Sequence, residues 1–184
     1  VLRQRGTYVA MPTMATSNQM YGRVTDVLRD RYPEANLTPL LIHSQARWMQ
    51  QDLLPEMNVG DGENGEALDA MTWFLPRKRS LLAPFGVGTV DQAFMSVLQT
   101  RHFFVRLLGL SHKTLIFDEV HAYDTYMSTL FQRLLGWLRA VGTNVIILSA
   151  TLPKKTRCEL LVAYVGEDVA IPAIHFFEIT WATE

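Results

Sequence analysis

The apolar run Leu115-Ile116-Phe117 stops abruptly on two acids, Asp118 and Glu119, with Val120 and His121 directly behind. A strand buried on both faces carries no charge, so the acids fall just past its carboxyl end. Open α/β sheets place their ligand chemistry in the crevice outside those strand ends. In a phosphate-binding site of that kind the first acid holds Mg²⁺ and the second positions a water. Asp118 is therefore a candidate metal and nucleotide ligand, and Glu119 a candidate catalytic residue. A strand that merely ends in solvated acids ahead of a helix is the plainer account of the same residues.

A second apolar run, Val145–Leu148, ends in Ser149-Ala150-Thr151. Hydroxyls there can reach His121 across the top of a sheet. Equally, Thr151 can cap the helix that Pro153 begins. A lone histidine is usually structural, and His121 has no His-x-x-x-His or cysteine partner that would indicate zinc. Its interest comes from its place behind the acids.

The rest of the chain repeats the strand–helix alternation. Thr7–Met11, Leu40–Ile42 and Val87–Val90 join Thr114–Phe117 and Val145–Leu148 as short apolar runs without polar alternation, the mark of buried parallel strands. Helical periods lie between them: Met20, Val24, Val27 and Leu28; then Tyr126, Leu130, Leu134 and Leu138; then Leu160, Leu161 and Tyr164, closed by Gly166. The fold class expected is α/β, a parallel sheet with helices on both faces. Residues 58–66, with three glycines and no apolar period, read as an exposed insertion leading to a short helix before Trp73. Residues 171–184 read as an edge segment or linker.

Two strand–helix junctions are candidate anion sites. Pro12 to Gln19 opens a helix, where backbone N–H groups and the hydroxyls of Thr13, Thr16 and Ser17 can meet a phosphate. The bland account is a capping box of Thr16 with Gln19. Gly86-Val87-Gly88-Thr89-Val90-Asp91-Gln92 is the other junction. Its glycines allow close approach of a ligand, and Thr89 and Asp91 offer polar contacts, or Asp91 simply caps a tight turn. Arg77-Lys78-Arg79 is the one basic triplet, a solvated loop or a phosphate contact.

Charge is balanced, 17 basic against 18 acidic residues with a formal net of −1. A broad basic face for nucleic acid is not indicated, so any such binding is local. Cys158 is the only cysteine, which rules out a disulfide framework and a cysteine-based zinc site and fits a reducing, cytoplasmic compartment. No apolar run reaches the length of a membrane span. The start, Val-Leu-Arg-Gln-Arg, is neither a signal peptide nor an ordinary beginning, so the chain reads as a piece of something longer. No Gly-x-x-x-x-Gly-Lys-[Ser/Thr] phosphate loop occurs in it.

Asp-Glu-x-His at 118–121 resembles the Walker B motif of superfamily 2 helicases. Four stretches carry a closer resemblance, the first and third of them far more specific than a generic helicase motif. They are Met-Pro-Thr-Met-Ala-Thr-Ser-Asn-Gln-Met at 11–20, Leu-Leu-Ala-Pro-Phe-Gly-Val-Gly-Thr-Val-Asp-Gln at 81–92, Phe-Asp-Glu-Val-His-Ala-Tyr-Asp at 117–124, and Leu-Ser-Ala-Thr-Leu-Pro at 148–153. In that order they resemble the helicase–nucleases of type I CRISPR interference, over roughly residues 7–165, with Ile179-Thr180-Trp181 similar too.

The resemblance implies that residues 1–166 are a first RecA-like domain, truncated at its N-terminus and without its phosphate loop. Residues 167–184 would be the linker or edge segment toward a second RecA-like domain. Residues 11–23 would be motif Ia and 88–92 motif Ib, which puts Thr13, Thr16, Ser17, Asn18, Thr89, Asp91 and Gln92 against single-stranded DNA. Residues 118–121 would be motif II and 149–151 motif III. Asp118 would then hold Mg²⁺, Glu119 would orient the attacking water, and His121, Ser149 and Thr151 would couple ATP hydrolysis to movement. The implied partners are single-stranded DNA, a CRISPR RNA-guided surveillance complex, a second RecA-like domain and an HD nuclease domain, with no membrane. The rivals are another superfamily 2 motor, such as a restriction-system translocase, and a binding or folding module without catalysis.

Overall fold

The computed structural model describes residues 4–35, 37, 39–43, 79–98 and 102–166. The glycine-rich stretch 58–66, Trp73, Arg77, Lys78 and the segment 167–184 lie outside the described residues. Five strands form one sheet: β1 (Thr7–Met11), β2 (Leu40–Ile42), β3 (Phe85–Thr89), β4 (Thr114–Phe117) and β5 (Asn144–Ile147), in the order β2-β3-β1-β4-β5. All pairings are parallel, with Val9 opposite both Val87 and Ile116. The helices are α1 (Met14–Arg31), α2 (Val90–Phe94), α3 (Phe103–Leu110), α4 (Thr125–Ala140) and α5 (Lys154–Val165).

Both faces of the sheet are covered. Val9, Met11 and Val87 point to one side and pack under Met20, Tyr21 and Val24 of α1. Tyr8, Ala10, Leu115 and Phe117 point to the other and bury against Val90 and Phe94 of α2, Phe131, Leu134, Leu135 and Leu138 of α4, and Leu160 of α5. This is the period-2 alternation of a strand meeting the 3.6 period of helices. On the α1 side Ile146 and Leu148 remain exposed, because α1 lies over β1, β2 and β3. Among the described residues no helix is long and apolar enough to cross a membrane.

Chain direction across the sheet reverses at β1. From β1 the chain crosses by α1 to the β2 edge; from β3 it returns over β1 to β4 and continues to β5. The crevice at the carboxyl ends of β1 and β4 is the switch point of the sheet, where such folds bind ligands. The backbone N–H of Asp118 donates to Ala10 O at 3.1 Å and fixes the acidic turn to that crevice.

Several local expectations shift. The capping box of α1 is Thr13 with Thr16, one turn earlier than Thr16 with Gln19: Thr16 N donates to Thr13 Oγ1 at 3.2 Å and Thr13 N to Thr16 Oγ1 at 3.3 Å. The helix begins as soon as Pro12 is passed, so the first hydroxyl after it takes the cap. Pro153 is the N-cap of α5 and not a residue of its first turn, and no side chain caps that helix, Thr151 included. Gly88 serves the sheet: a Cβ there would lie 2.0 Å from Ile42 O and 2.7 Å from the Tyr8 hydroxyl. Its missing side chain admits a neighbouring strand and a tyrosine, which leaves no space there for a ligand.

Candidate active site at the carboxyl ends of β4 and β5

Asp118 and Glu119 leave β4 into the crevice. Asp118 Oδ1 accepts a hydrogen bond from Glu119 N at 2.9 Å. Glu119 is left-handed, with φ 55° and ψ 41°, and its carbonyl accepts from Ala122 N in a short turn over Val120–Ala122. A non-glycine residue in that region is strained by about 1 kcal/mol or more, and such strain gathers at functional sites. The turn lifts the Glu119 carboxylate toward His121, whose Nδ1 lies 3.1 Å from Glu119 Oε2.

Ser149 bridges the two strand ends. His121 N donates to Ser149 Oγ at 3.2 Å, His121 Nδ1 lies 3.2 Å from the same oxygen, and Ser149 Oγ donates to Thr151 O at 3.0 Å. The structure therefore brings Asp118, Glu119, His121 and Ser149 into one group. Thr151 enters that group through its carbonyl, and its side chain is exposed.

Mg²⁺ prefers oxygen ligands and is usually held by one or two carboxylates together with phosphates and waters. Asp118 fits that chemistry: Oδ1 is engaged by a backbone N–H, which orients Oδ2 as the oxygen for a cation. No group of three potential metal-ligating residues occurs among the described residues, so an all-protein metal cage is not on offer there.

The second set of candidates lies at the ends of β1 and β3. Thr13, Thr89, Asp91 and Gln92 line a pocket of about 590 Å³ together with Tyr126 and Met127. Thr13 and Asp91 are exposed, and Thr16 is half-buried. Two members of the predicted set are buried. Ser17 is fully buried and its Oγ donates to Thr13 O at 2.8 Å, satisfying the helix start from within. The Thr89 side chain is also buried, and its carbonyl accepts from the Tyr8 hydroxyl at 3.0 Å. The Ser17 hydroxyl is thus spent on the helix start, whereas Thr89, though buried, still lines the pocket. Asn18 Oδ1 pairs with His43 Nε2 at 2.9 Å, tying α1 to the end of β2. Gln92 Oε1 accepts from Arg106 at 3.0 Å.

Tyr8 and Arg106, which meet Thr89 O and Gln92 Oε1, and Tyr123, which is buried in the core, are not legible in the sequence as neighbours of these residues. Burial pushes the Tyr8 and Tyr123 hydroxyls above their ordinary value. For Tyr123 the carboxylates of Asp118 and Asp91 add to the rise. The only available signal was the placement of Tyr123 in Asp-Glu-Val-His-Ala-Tyr, two residues after His121.

No protein-family model matches the chain. It is 45% identical over 174 residues to the CRISPR-associated endonuclease/helicase Cas3 of Thermus thermophilus, covering 91% of this chain and 19% of that protein. The crystal structure of T. fusca Cas3 with AMPPNP superposes with a TM-score of 0.74 at 39% identity, over 88% of this chain and 17% of that one. A chain of a CRISPR RNA-guided surveillance complex, pre-nicking, matches with a TM-score of 0.58 at 34% identity, over 88% of this chain and 14% of that one. The chain thus spans less than a fifth of the length of these relatives. Its all-parallel α/β sheet is that of the RecA-like domain of Cas3. Over nine-tenths of its residues the chain is a homologue of the Cas3 helicase–nucleases, corresponding to one partial region of them.

Proposed function

We propose that residues 1–166 are the body of the first RecA-like domain of an ATP-dependent single-stranded-DNA translocase and helicase. Residues 167–184 lead toward the second RecA-like domain. The full-length protein would also carry an HD nuclease domain and degrade foreign DNA in the cytoplasm when a CRISPR RNA-guided surveillance complex recruits it, as an antiviral defence. The observation that carries this reading is the placement of Asp118 and Glu119 at the switch point, with Ser149 joining the turn that bears them to β5.

In this reading the group to be bound is Mg²⁺·ATP, which supplies an activated phosphoryl group and a cation to neutralise it. Asp118 presents an oriented carboxylate oxygen to that cation. Glu119, raised by its left-handed backbone, orients the attacking water and accepts its proton. Ser149 and His121 carry the state of that turn to β5 and α5. Thr13, Thr16 and the first backbone N–H groups of α1 meet DNA phosphates, with Asn18, Asp91 and Gln92 beside them. Neutral donors of this kind grip any sequence equally. Identity of 37–45% to Cas3 proteins, with Asp-Glu-Val-His in place, favours this reading over a restriction-system translocase.

Nucleotide binding by the full-length protein tests the division of roles. Asp118→Asn should weaken Mg²⁺-dependent ATP-analogue binding, whereas Glu119→Gln, which keeps size and hydrogen bonding, should bind like wild type. Equal loss in both variants would contradict it.

A further inference from the structure

Gln92 lines the pocket at the ends of β1 and β3 together with Thr13. Its backbone is well anchored. Val90, Ala93 and Phe94 of α2 are buried, and the Tyr8 hydroxyl donates to the carbonyl of Thr89, the N-cap residue. The long side chain is what has freedom to lose, and fixing one of that length costs up to about 1.5–2 kcal/mol of rotamer entropy. Arg106 of α3 fixes it: Nη1 donates to Gln92 Oε1 at 3.0 Å. α3 is itself tightly seated, because Gly109 lies so close to Leu81 that an added Cβ would stand 2.8 Å from its backbone. Among the described residues Arg106 forms no ion pair, and its half-buried guanidinium spends a donor on this neutral amide.

We propose that Arg106 is a positioning residue for single-stranded DNA: it clamps the carbonyl end of Gln92 and so presents the amide N–H donors of Gln92 to a backbone phosphate. A guanidinium has donors and no acceptor, so it can engage only the oxygen of a carboxamide. With Oε1 taken, the NH₂ end is the one left for a ligand in the pocket. Its hydrogens suit phosphate oxygens, contacts that position the strand without reading its sequence. The neighbouring Asp91 is exposed and acidic, so a Gln92 carbonyl turned outward beside it would present a second acceptor to an anion. The clamp excludes that orientation. A hydrogen bond donated by a cation is also stronger than one between neutral groups, and it polarises the amide toward donation. The proposal rests on the reading of this junction as DNA-facing.

The test is the affinity of the full-length protein for single-stranded DNA across a salt series, with Gln92→Ala, Arg106→Met and the double variant beside wild type. Each single variant should weaken binding about two- to tenfold, the worth of one hydrogen bond. The double variant should bind no worse than the weaker single, because all three lose the same interaction. The salt slope should stay that of wild type, since an arginine that met a phosphate itself would take about 0.7 from the slope on removal. Additive losses, or a slope reduced by that amount in Arg106→Met, overturn the proposal. A merely structural arginine would lower the melting temperature and leave the affinity of the folded protein unchanged. Arg106→Gln, a polar group that both donates and accepts, no longer dictates which end of Gln92 faces out. It should weaken binding too, and it carries the test if Arg106→Met melts well below wild type; wild-type affinity in it overturns the proposal. If wild type does not bind single-stranded DNA, the DNA-facing reading falls and this inference with it. If it binds and either Gln92→Ala or Arg106→Met is without effect, this inference alone falls.

Discussion

At the scale of single residues, chain order exposed the acids and hid the direction of most hydroxyls. Asp118 and Glu119 were legible because charge cannot continue a buried strand. Nothing in the sequence said that Ser17 turns inward while Thr13 faces out, since both hydroxyls sit in the first turns of one helix. Nor does a glutamate announce a left-handed backbone. Ser149 and Thr151 looked equivalent and are not: only the Ser149 hydroxyl holds His121. Ser149→Ala should therefore spare much of the ATPase of the full-length protein and impair unwinding, while Thr151→Ala leaves both near wild type. Unwinding assays that find the two variants equally impaired would contradict this.

Lys113 gives a residue-scale prediction about pH. Its Nζ is buried and donates to Leu81 O at 2.6 Å and to Ala83 O. Burial lowers its ammonium from 10.5 to about 8. Below pH 8 folded and unfolded chains both hold the proton, so this group makes stability indifferent to pH. Between pH 8 and 10.5 only the unfolded chain keeps it, so stability rises with pH. From pH 8 to 9.5 the gain should be on the order of 1–2 kcal/mol in urea unfolding. Tyr8 and Tyr123 act oppositely, but only once unfolded tyrosines ionise near pH 10. Lys113→Met should lose the rise; an equal rise in that variant would rule Lys113 out as its source.

At the scale of elements the apolar runs were reliable. β1, β2 and β4 have the expected limits, and β5 is displaced by one residue. The apolar run suggests a third strand at Val87–Val90, and the strand is Phe85–Thr89, because the glycines interrupting it conceal a strand that must pass close to its neighbours. Gly88→Ala should destabilise the fold by about 2 kcal/mol or more, since its Cβ meets backbone and not a movable side chain. A melting temperature equal to wild type would show that β2 can move aside.

The start of α1 carries a separable prediction. Thr13→Ala removes a cap and should cost about 1 kcal/mol of stability. If the helix start also meets DNA phosphates, Thr16→Ala should weaken single-strand affinity of the full-length protein. Its salt slope should stay unchanged, because a neutral donor displaces no counterion of its own. Wild-type affinity in Thr16→Ala would leave this junction a capping box alone.

At the scale of the molecule, strand–helix alternation was enough to foresee a parallel sheet covered on both faces. Strand order was not, because the sequence does not state which crossover reverses direction. That reversal at β1 is what sets Asp118 in a crevice. The 184 residues contain no phosphate-loop lysine motif, so this polypeptide alone should show no detectable ATP turnover, the triphosphate lacking most of its contacts. DNA-stimulated phosphate release from it, abolished by Glu119→Gln, would overturn that expectation.

The central proposal is that the acidic turn after β4 hydrolyses ATP in an ATP-driven, DNA-stimulated motor. Its most direct test is steady-state phosphate release by the full-length protein with single-stranded DNA, wild type beside Glu119→Gln. The account predicts DNA-stimulated turnover in wild type and a fall of about 10²–10⁴ in the variant, the usual effect of losing a positioned base. Turnover in Glu119→Gln within a few-fold of wild type would contradict it.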